Sequence, residues 1–355
     1  MKKKIIPIFV PHQGCPHDCI FCNQKKITGV STDMTGEAAR EIIEESLKTI
    51  DGDCEVEIAF FGGSFTAIDK EKQIELLSVA KEYKDKNIVQ DIRMSTRPDC
   101  IDEEELELIK KYGATIIELG VQSMDEKVLI ESLRGHEKNI VYKSSKLIKE
   151  YGFTLGLQMM IGLPSDSEDK CIYTAKEFVK INPKFVRIYP TLVIKETGLE
   201  TAYNGGYYKP FTLEECVEIV KKLIVIYEKN NIGIIRVGLQ ATDDIQLGID
   251  VVAGPYHPAF RELVKSKMIM DYIDFTVPDK FENIVVYTAN RNISTVVGNK
   301  KANRIYINNK YNARFKTKTD ESLKNSMKIE IDGKVIKTVT FKEIISELEK
   351  IYGLC

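Results

Sequence analysis

The chain has 355 residues, 43% of them apolar, with 51 Lys and Arg against 53 Asp and Glu and a net charge of −2. That length fits one large domain or a large and a small one, with apolar content enough for an ordinary globular core. The charge balance excludes a chain that is basic all over, and no apolar run reaches the roughly 18 residues of a membrane-spanning helix.

Segment 4–10 is a short apolar run interrupted by Pro7, with Pro11, His12 and Gln13 following where a leader would have its cleavage site. It reads as a buried first strand, and the expected location is cytoplasmic. Further strand patterns rich in Ile, Val and Phe occupy 56–61, 91–95, 115–120, 154–161, 184–189 and 233–237. Helical patterns fill the intervals at 36–50, 69–84, 102–112, 125–151, 166–181 and 212–231, and Thr35 and Thr212, each followed by acids, mark helix starts. This rhythm predicts an α/β fold with a parallel sheet, best matched by a partial (β/α)6 TIM-like barrel; an open doubly wound sheet gives the same rhythm. Residues 241–280 read as irregular. Beyond them, 284–287, 294–297, 304–307, 328–331 and 335–340 read as strands and 341–352 as a closing helix. The expected domains are a barrel over 1–280 and a small, basic α+β appendage over 281–355.

Of eight Cys, Cys15, Cys19 and Cys22 fall within eight residues as C-x3-C-x2-C, and Cys54, Cys100, Cys171, Cys216 and Cys355 are scattered. Clustering of this kind points to metal rather than to disulfides. Three thiolates on one loop can hold three irons of a [4Fe–4S] cluster and leave the fourth iron for a small molecule to chelate. A closed zinc site completed by His12 or His17 is the competing reading. The motif follows the first strand, where a barrel carries its working loops.

With Phe21 before the third Cys, this spacing resembles the signature of the radical S-adenosylmethionine (SAM) superfamily. The resemblance implies a [4Fe–4S] cluster whose open iron binds SAM, and one-electron cleavage of the sulfonium to a 5′-deoxyadenosyl radical. It also implies an electron donor such as ferredoxin or flavodoxin. Further motifs follow successive strands. Gly62, Gly63 and Ser64 resemble the family's GGE-like motif for the methionine amino group, since paired glycines let carbonyls face an ammonium. Ser95 and Arg97 end the third strand, where they can meet the ribose or carboxylate of SAM. Glu118 and Gln122, polar in apolar surroundings, suit its hydroxyls. Gln158 opens a stretch, through Gly162, that resembles the strand beside adenine; Phe21 is read either against adenine or as loop packing. His136 reads as a helix-surface residue.

Arg187 with Tyr189 and Pro190, then 206–210 and 235–240, resemble the radical SAM part of the Elongator catalytic subunit family, over about 5–260. Two departures bear on function. The first Cys interval is longer in that family, and too few residues follow 280 for its acetyltransferase domain, so acetyl transfer is not expected. Asn23 stands where the similar oxygen-independent coproporphyrinogen oxidases carry a further Cys.

Between 291 and 318 lie Arg291, Lys300, Lys301, Arg304, Lys310, Arg314, Lys316 and Lys318, with no acid. Tyr306, Tyr311, Phe315 and several Asn are interleaved, a composition suited to RNA, although a solvated strand face would look similar. Tyr189, Tyr256, His257 and Arg261 are expected to face substrate, and Cys355 to be a late hydrogen donor if it acts at all. The leading expectation is radical modification of a nucleobase in RNA, with tRNA foremost. The alternatives are radical chemistry on a small metabolite or peptide, and a non-catalytic metal-binding module.

Overall fold

Seven parallel strands form the main sheet. β1 (Lys2–Val10), β2 (Cys54–Gly62), β3 (Asp91–Thr96), β4 (Ile116–Gln122), β5 (Thr154–Ile161) and β6 (Phe185–Pro190) lie side by side in chain order. The short β7 (Val193–Ile194) leaves the sheet to pair with β9 (Val251–Ala253), and β8 (Gly233–Val237) is the seventh sheet strand, beside β6. The order never reverses, so this is not the doubly wound arrangement. β1 and β8 each pair on one side only, which leaves an open, partial barrel. The computed structural model describes residues 2–10, 15, 17–23, 33–239 and 246–354. The expectations attached to His12, Gln240 and Cys355 fall outside them.

Each of the first strands feeds a helix: α1 (Gly36–Lys48), α2 (Lys70–Asp85), α3 (Glu103–Lys111), the pair α4 (Glu126–Glu131) and α5 (Lys138–Glu150), and α6 (Glu168–Ile181). Most start on a side-chain cap: Thr35, Asp69, Asp102, Asp125 and Ser167 each accept a backbone N–H of the first turn. Covered on both faces, the strands bury Ile6, Ile8, Ile58, Ile92, Ile117, Leu119, Leu157 and Ile188 completely. This is why the sequence shows nearly continuous apolar runs rather than alternation.

The chain forms two compact units, one of residues 1–211 with 232–256 and the other of 212–231 with 257–355. The expected boundary at 280 therefore falls inside the second unit. That unit holds α8 (Leu213–Lys229), α9 (Phe260–Thr276) and a four-stranded sheet ordered β11 (Arg314–Thr319), β10 (Asn283–Thr288), β12 (Ser326–Ile331) and β13 (Lys334–Thr340). It also holds α10 (Asn290–Val297), α11 (Ala302–Tyr311) and α12 (Phe341–Ile351). α8, grouped by its rhythm with the barrel helices, is stapled here instead. Asp271 of α9 takes Lys221 of α8 at 2.7 Å and the Tyr352 hydroxyl at 2.8 Å.

Three further expectations are corrected. Residues 260–276, read as irregular, are helical. α9 buries Phe260, Val264, Met268, Ile269, Met270, Tyr272 and Ile273 around most of its girth, so no single apolar stripe marks it. Segments 294–297 and 304–307 are not strands but lie in α10 and α11. Their β-branched residues favour strands, but α11 buries Asn303 and Ile307, four residues apart, and leaves Ile305 and Tyr306 out. The strand β11 matches none of the expected elements.

Candidate cluster and cofactor site

The loop after β1 carries the three cysteines. Cys19 is buried, and Cys15 and Cys22 are half-buried. A turn from the Cys22 N–H to the Cys19 carbonyl (3.0 Å) folds the loop back on itself. Its middle is pinned on both sides: the Ile20 N–H donates to the Ser132 carbonyl at 3.2 Å, and the Leu199 N–H donates to the Ile20 carbonyl at 2.7 Å. Gly198 permits the second contact, since a Cβ there would stand 2.9 Å from the Ile20 side chain. Phe21 packs against Val193, Leu199 and Tyr208.

Two guanidinium groups close on the Cys19 sulfur. Arg134 Nη1 lies 3.1 Å from Sγ and Arg97 Nη1 lies 3.8 Å from it, and both arginines are buried. Arg97 is held by a two-point pair with Asp99 (2.9 and 2.8 Å) and donates to the Arg134 carbonyl at 2.5 Å. Arg134 is anchored in turn by the Gly120 carbonyl. His17 Nε2 sits 3.8 Å from Asp99 Oδ2, its ring lying where a Cβ on Gly135 would come within 2.3 Å. Of the two buried cations, Arg97 has a carboxylate partner in Asp99, and Arg134 meets a carbonyl and the sulfur. A buried charge without a counter-charge is costly, and a deprotonated Cys19 would supply it. Burial raises the Cys15 thiol above its ordinary pKa, against the opposing pull of the Ser64 backbone and Arg97.

Whether these residues suit a cluster and SAM can be tested on polar atoms left without partners. Arg134 Nε, the Gln122 side-chain oxygen and His136 Nε2 are buried with no hydrogen-bond partner. Arg134 and Gln122 both stand over Gly120, their amino nitrogens 3.6 and 3.1 Å from where its Cβ would be. Gln122 is placed there by a register shift in the β4–β5 pairing and by a left-handed φ of 72°. Buried polar groups are normally satisfied, so these orphans fit a polar ligand in this corner. His136 is no helix-surface residue: it is buried before α5, and burial, then Arg134, lowers its pKa to about 4. Among the described residues, no three His, Cys, Asp or Glu side chains gather closely enough to share one metal ion.

Gly62 serves β1 directly. Its φ is +118°, and a Cβ would lie 2.0 Å from the Val10 carbonyl oxygen, so only glycine allows this approach. The Gly63 N–H points to the same oxygen at 3.4 Å. Ser64 is buried and shares a hydroxyl contact of 2.7 Å with Thr96, while accepting the Arg97 N–H at 3.2 Å. It therefore ties the end of β2 to the end of β3.

Deeper in the sheet runs a ladder of charge. Glu57 on β2 pairs with Arg93 on β3 (2.9 Å), and Arg93 with Glu118 on β4 (2.5 Å). Arg187 on β6 grips Glu118 through two bonds, 2.5 and 2.9 Å. Gln158 donates to Glu118 at 3.1 Å and approaches Ser95 at 3.4 Å. Burial pushes the Glu118 carboxyl up, but Arg187 and Arg93 outweigh it and hold the group ionised. With its oxygens engaged by two arginines and an amide, Glu118 positions Arg187 and Gln158. Glu57, Arg93 and Arg134 carry no role in the sequence reading. The signal for the first two was a charge flanked by apolar neighbours, Glu57 between Val56 and Ile58 and Arg93 between Ile92 and Met94.

The four expected substrate residues divide between the units. Tyr189 lies in β6, its hydroxyl 3.4 Å from Arg187 Nη1, and Tyr256 packs against Leu192, Ile194 and Val251. In the second unit, His257 Nδ1 accepts the Ala259 N–H at 3.0 Å and Nε2 lies 3.3 Å from the Asn299 amide. Arg261 is on α9, near Glu228.

Comparison with known proteins gives this architecture a place. Residues 9–178 match the Radical SAM superfamily and 183–270 the Radical_SAM C-terminal domain. An uncharacterized protein of Methanocaldococcus jannaschii is 30% identical over 234 residues, 62% of this chain and 71% of that one. The tRNA uridine(34) acetyltransferase of Methanocaldococcus infernus is 28% identical over 259 residues, 61% of this chain and 48% of that protein. The chain thus spans about half the length of that acetyltransferase. Among solved structures, archaeal Elp3 of Methanocaldococcus infernus superposes with a TM-score of 0.60 at 24% identity, over 76% of this chain and 63% of that one. Among the described residues, no helix is long and apolar enough to cross a membrane.

Proposed function

The chain belongs to the radical SAM superfamily and is a radical SAM enzyme using a [4Fe–4S] cluster and SAM, and we propose that it modifies a nucleobase in RNA, with tRNA as the substrate class. Cys15, Cys19 and Cys22 would hold the cluster. When bound, cluster and SAM supply one-electron cleavage of a sulfonium and a carbon-centred radical. The chain's own residues prepare the corner for it. Arg134 and Arg97 stand against the Cys19 sulfur, and Asp99 fixes the Arg97 fork. Gln122 and His136 offer unsatisfied polar atoms, and Glu118 orients Arg187 and Gln158. Gly62 to Ser64 lock the second strand end against the first and third.

The observation carrying this reading is the pair of buried guanidiniums on the sulfur of the middle cysteine. For the RNA substrate, support comes from the likeness to a tRNA uridine(34) acetyltransferase and from the acid-free basic stretch at 291–318. An electron donor such as ferredoxin or flavodoxin belongs to the same proposal. The test is anaerobic reconstitution with iron and sulfide, reduction by dithionite, and incubation with SAM and total tRNA. The expected result is 5′-deoxyadenosine formation together with a mass change in one tRNA nucleoside. Cleavage of SAM with no change in any tRNA nucleoside would overturn the RNA substrate.

A further inference from the structure

The acid-free stretch does not act as one surface. Lys310 is taken up by Asp274 (2.8 and 2.7 Å), and Arg291 by the Lys324 carbonyl and Asn325 (2.7 Å each). Asn303 is buried and donates to Ser266 and Val296, and Tyr311 donates to Asp274. These groups hold the second unit together. Arg304, Arg314, Lys316 and Lys318 are exposed and have no acidic partner among the described residues. Of the acids nearby, Asp320 pairs with Lys328 at 3.8 Å, Glu330 accepts the Tyr287 hydroxyl at 3.1 Å, and Asp332 accepts the backbone N–H of Asn283 at 2.7 Å.

Geometry gathers three of these free cations. β11 is an edge strand, paired only with β10, and alternate residues Arg314, Lys316 and Lys318 share its outer face. At that edge lies a cleft of about 300 Å³ whose lining includes Val297, Arg304, Phe315, Lys316, Thr317 and Lys318. Its accessible apolar part comes from half-buried Val297, with Phe315 buried beneath, and its rim from cations contributed by both a helix and a strand. Lysines on a sheet edge commonly serve to block edge-to-edge association. That accounts for Lys316 and Lys318 but not for Arg304, which reaches the same cleft from α11.

We propose that this cleft binds single-stranded RNA, its phosphates on Arg304, Lys316 and Lys318 and a base against half-buried Val297. Charge complementarity carries the choice: cations without acidic partners, set along a groove, suit the backbone of a polyanion, and Val297 offers a base a small apolar contact. The inference rests on the RNA reading above and narrows it to one edge of the second unit.

The experiment titrates full-length protein into a labelled, unstructured oligoribonucleotide over a range of salt. Single-strand binding loses affinity with a slope of roughly 0.7 per phosphate contact. The triple variant Arg304→Gln, Lys316→Gln, Lys318→Gln should therefore bind at least tenfold more weakly at low salt, with a slope smaller by about 2. Lys310→Gln, which removes a cation already spent on Asp274, should bind as the parent does. Thermal melting of each variant, and Lys316→Gln alone, separate lost contacts from lost folding. Parent-like binding and slope in a folded triple variant would overturn the cleft while leaving RNA binding elsewhere intact. A parent protein that binds no RNA would overturn both readings. Loss of binding to ATP or to an acidic flavodoxin, with RNA binding unchanged, would reassign the cleft and overturn it as an RNA site.

Discussion

The two cationic regions of this chain use the same side chains under opposite conditions. Around Cys19, Arg97 and Arg134 are buried, each fixed by carbonyls, a carboxylate or a sulfur. At the β11 edge, Lys316 and Lys318 of the strand and Arg304 of α11 are exposed and lack acidic partners among the described residues. A buried guanidinium is held in one place and acts on one atom, at a desolvation cost its partners must offset. An exposed cation is hydrated and mobile, and acts by adding to a field that salt screens. The first arrangement suits a fixed cofactor and the second a flexible polyanion. Residue type alone does not separate them; burial and partner accounting do.

The largest expected effect tests whether the buried region is as tightly coupled as its contacts imply. Glu118→Gln removes the charge that Arg93 and Arg187 share, and breaking a buried pair costs about 3–5 kcal/mol. Chemical denaturation should show a loss of that order, against almost none for Lys310→Gln in the other region. A loss below about 1 kcal/mol, the range of exposed pairs, would show that the ladder is solvated.

A second expected effect is pH-dependent. Glu105 on α3 lies buried beside Gln73 (3.4 Å), and burial raises its pKa from 4.5 to about 7. A carboxyl raised on folding stabilises the fold most below pH 4.5, and that contribution is lost as pH rises to about 7. Glu105→Gln should therefore melt at a higher temperature than the parent at pH 8 and converge with it near pH 4. Equal melting at both pH values would place the carboxylate in water.

Arg134→Gln gives a smaller change, one that a merely structural arginine would not produce. Hydrogen bonds and positive charge at a cluster sulfur stabilise the reduced state. Their loss should make the cluster harder to reduce by on the order of tenfold at fixed potential, about 59 mV for one electron. Redox titration followed by electron paramagnetic resonance reads this directly, and iron content shows whether loading survived. An unchanged potential in a fully loaded variant would reduce Arg134 to a clamp on the loop.

The smallest effect lies in the second unit. Thr212→Ala deletes the capping box at the start of α8 and should cost about 1 kcal/mol, measured by thermal melting.

Much of the first unit was legible in the sequence because doubly covered strands and one-sided helices write distinct patterns. The cysteine spacing was equally plain. The ladder was less so: Glu57 and Arg93 each share a strand with a second charge, Glu55 and Asp91, and only the strand order sets them in line with Glu118. Gly62 was read as an opening toward a ligand; not legible was that its missing Cβ also admits the Val10 carbonyl, a contact between segments over fifty residues apart. In the second unit, α9 is buried around most of its girth, and α10 and α11 are built from strand-favouring residues. Local preference there yields to packing that no short window contains.

The central claim is that three cysteines hold a cluster with one iron left for SAM. Electron paramagnetic resonance of the reduced, reconstituted protein, recorded before and after adding SAM, tests it most directly. The account predicts about four irons per chain and a cluster signal that SAM reshapes. A single zinc per chain with no iron, or a cluster signal indifferent to SAM, would contradict it.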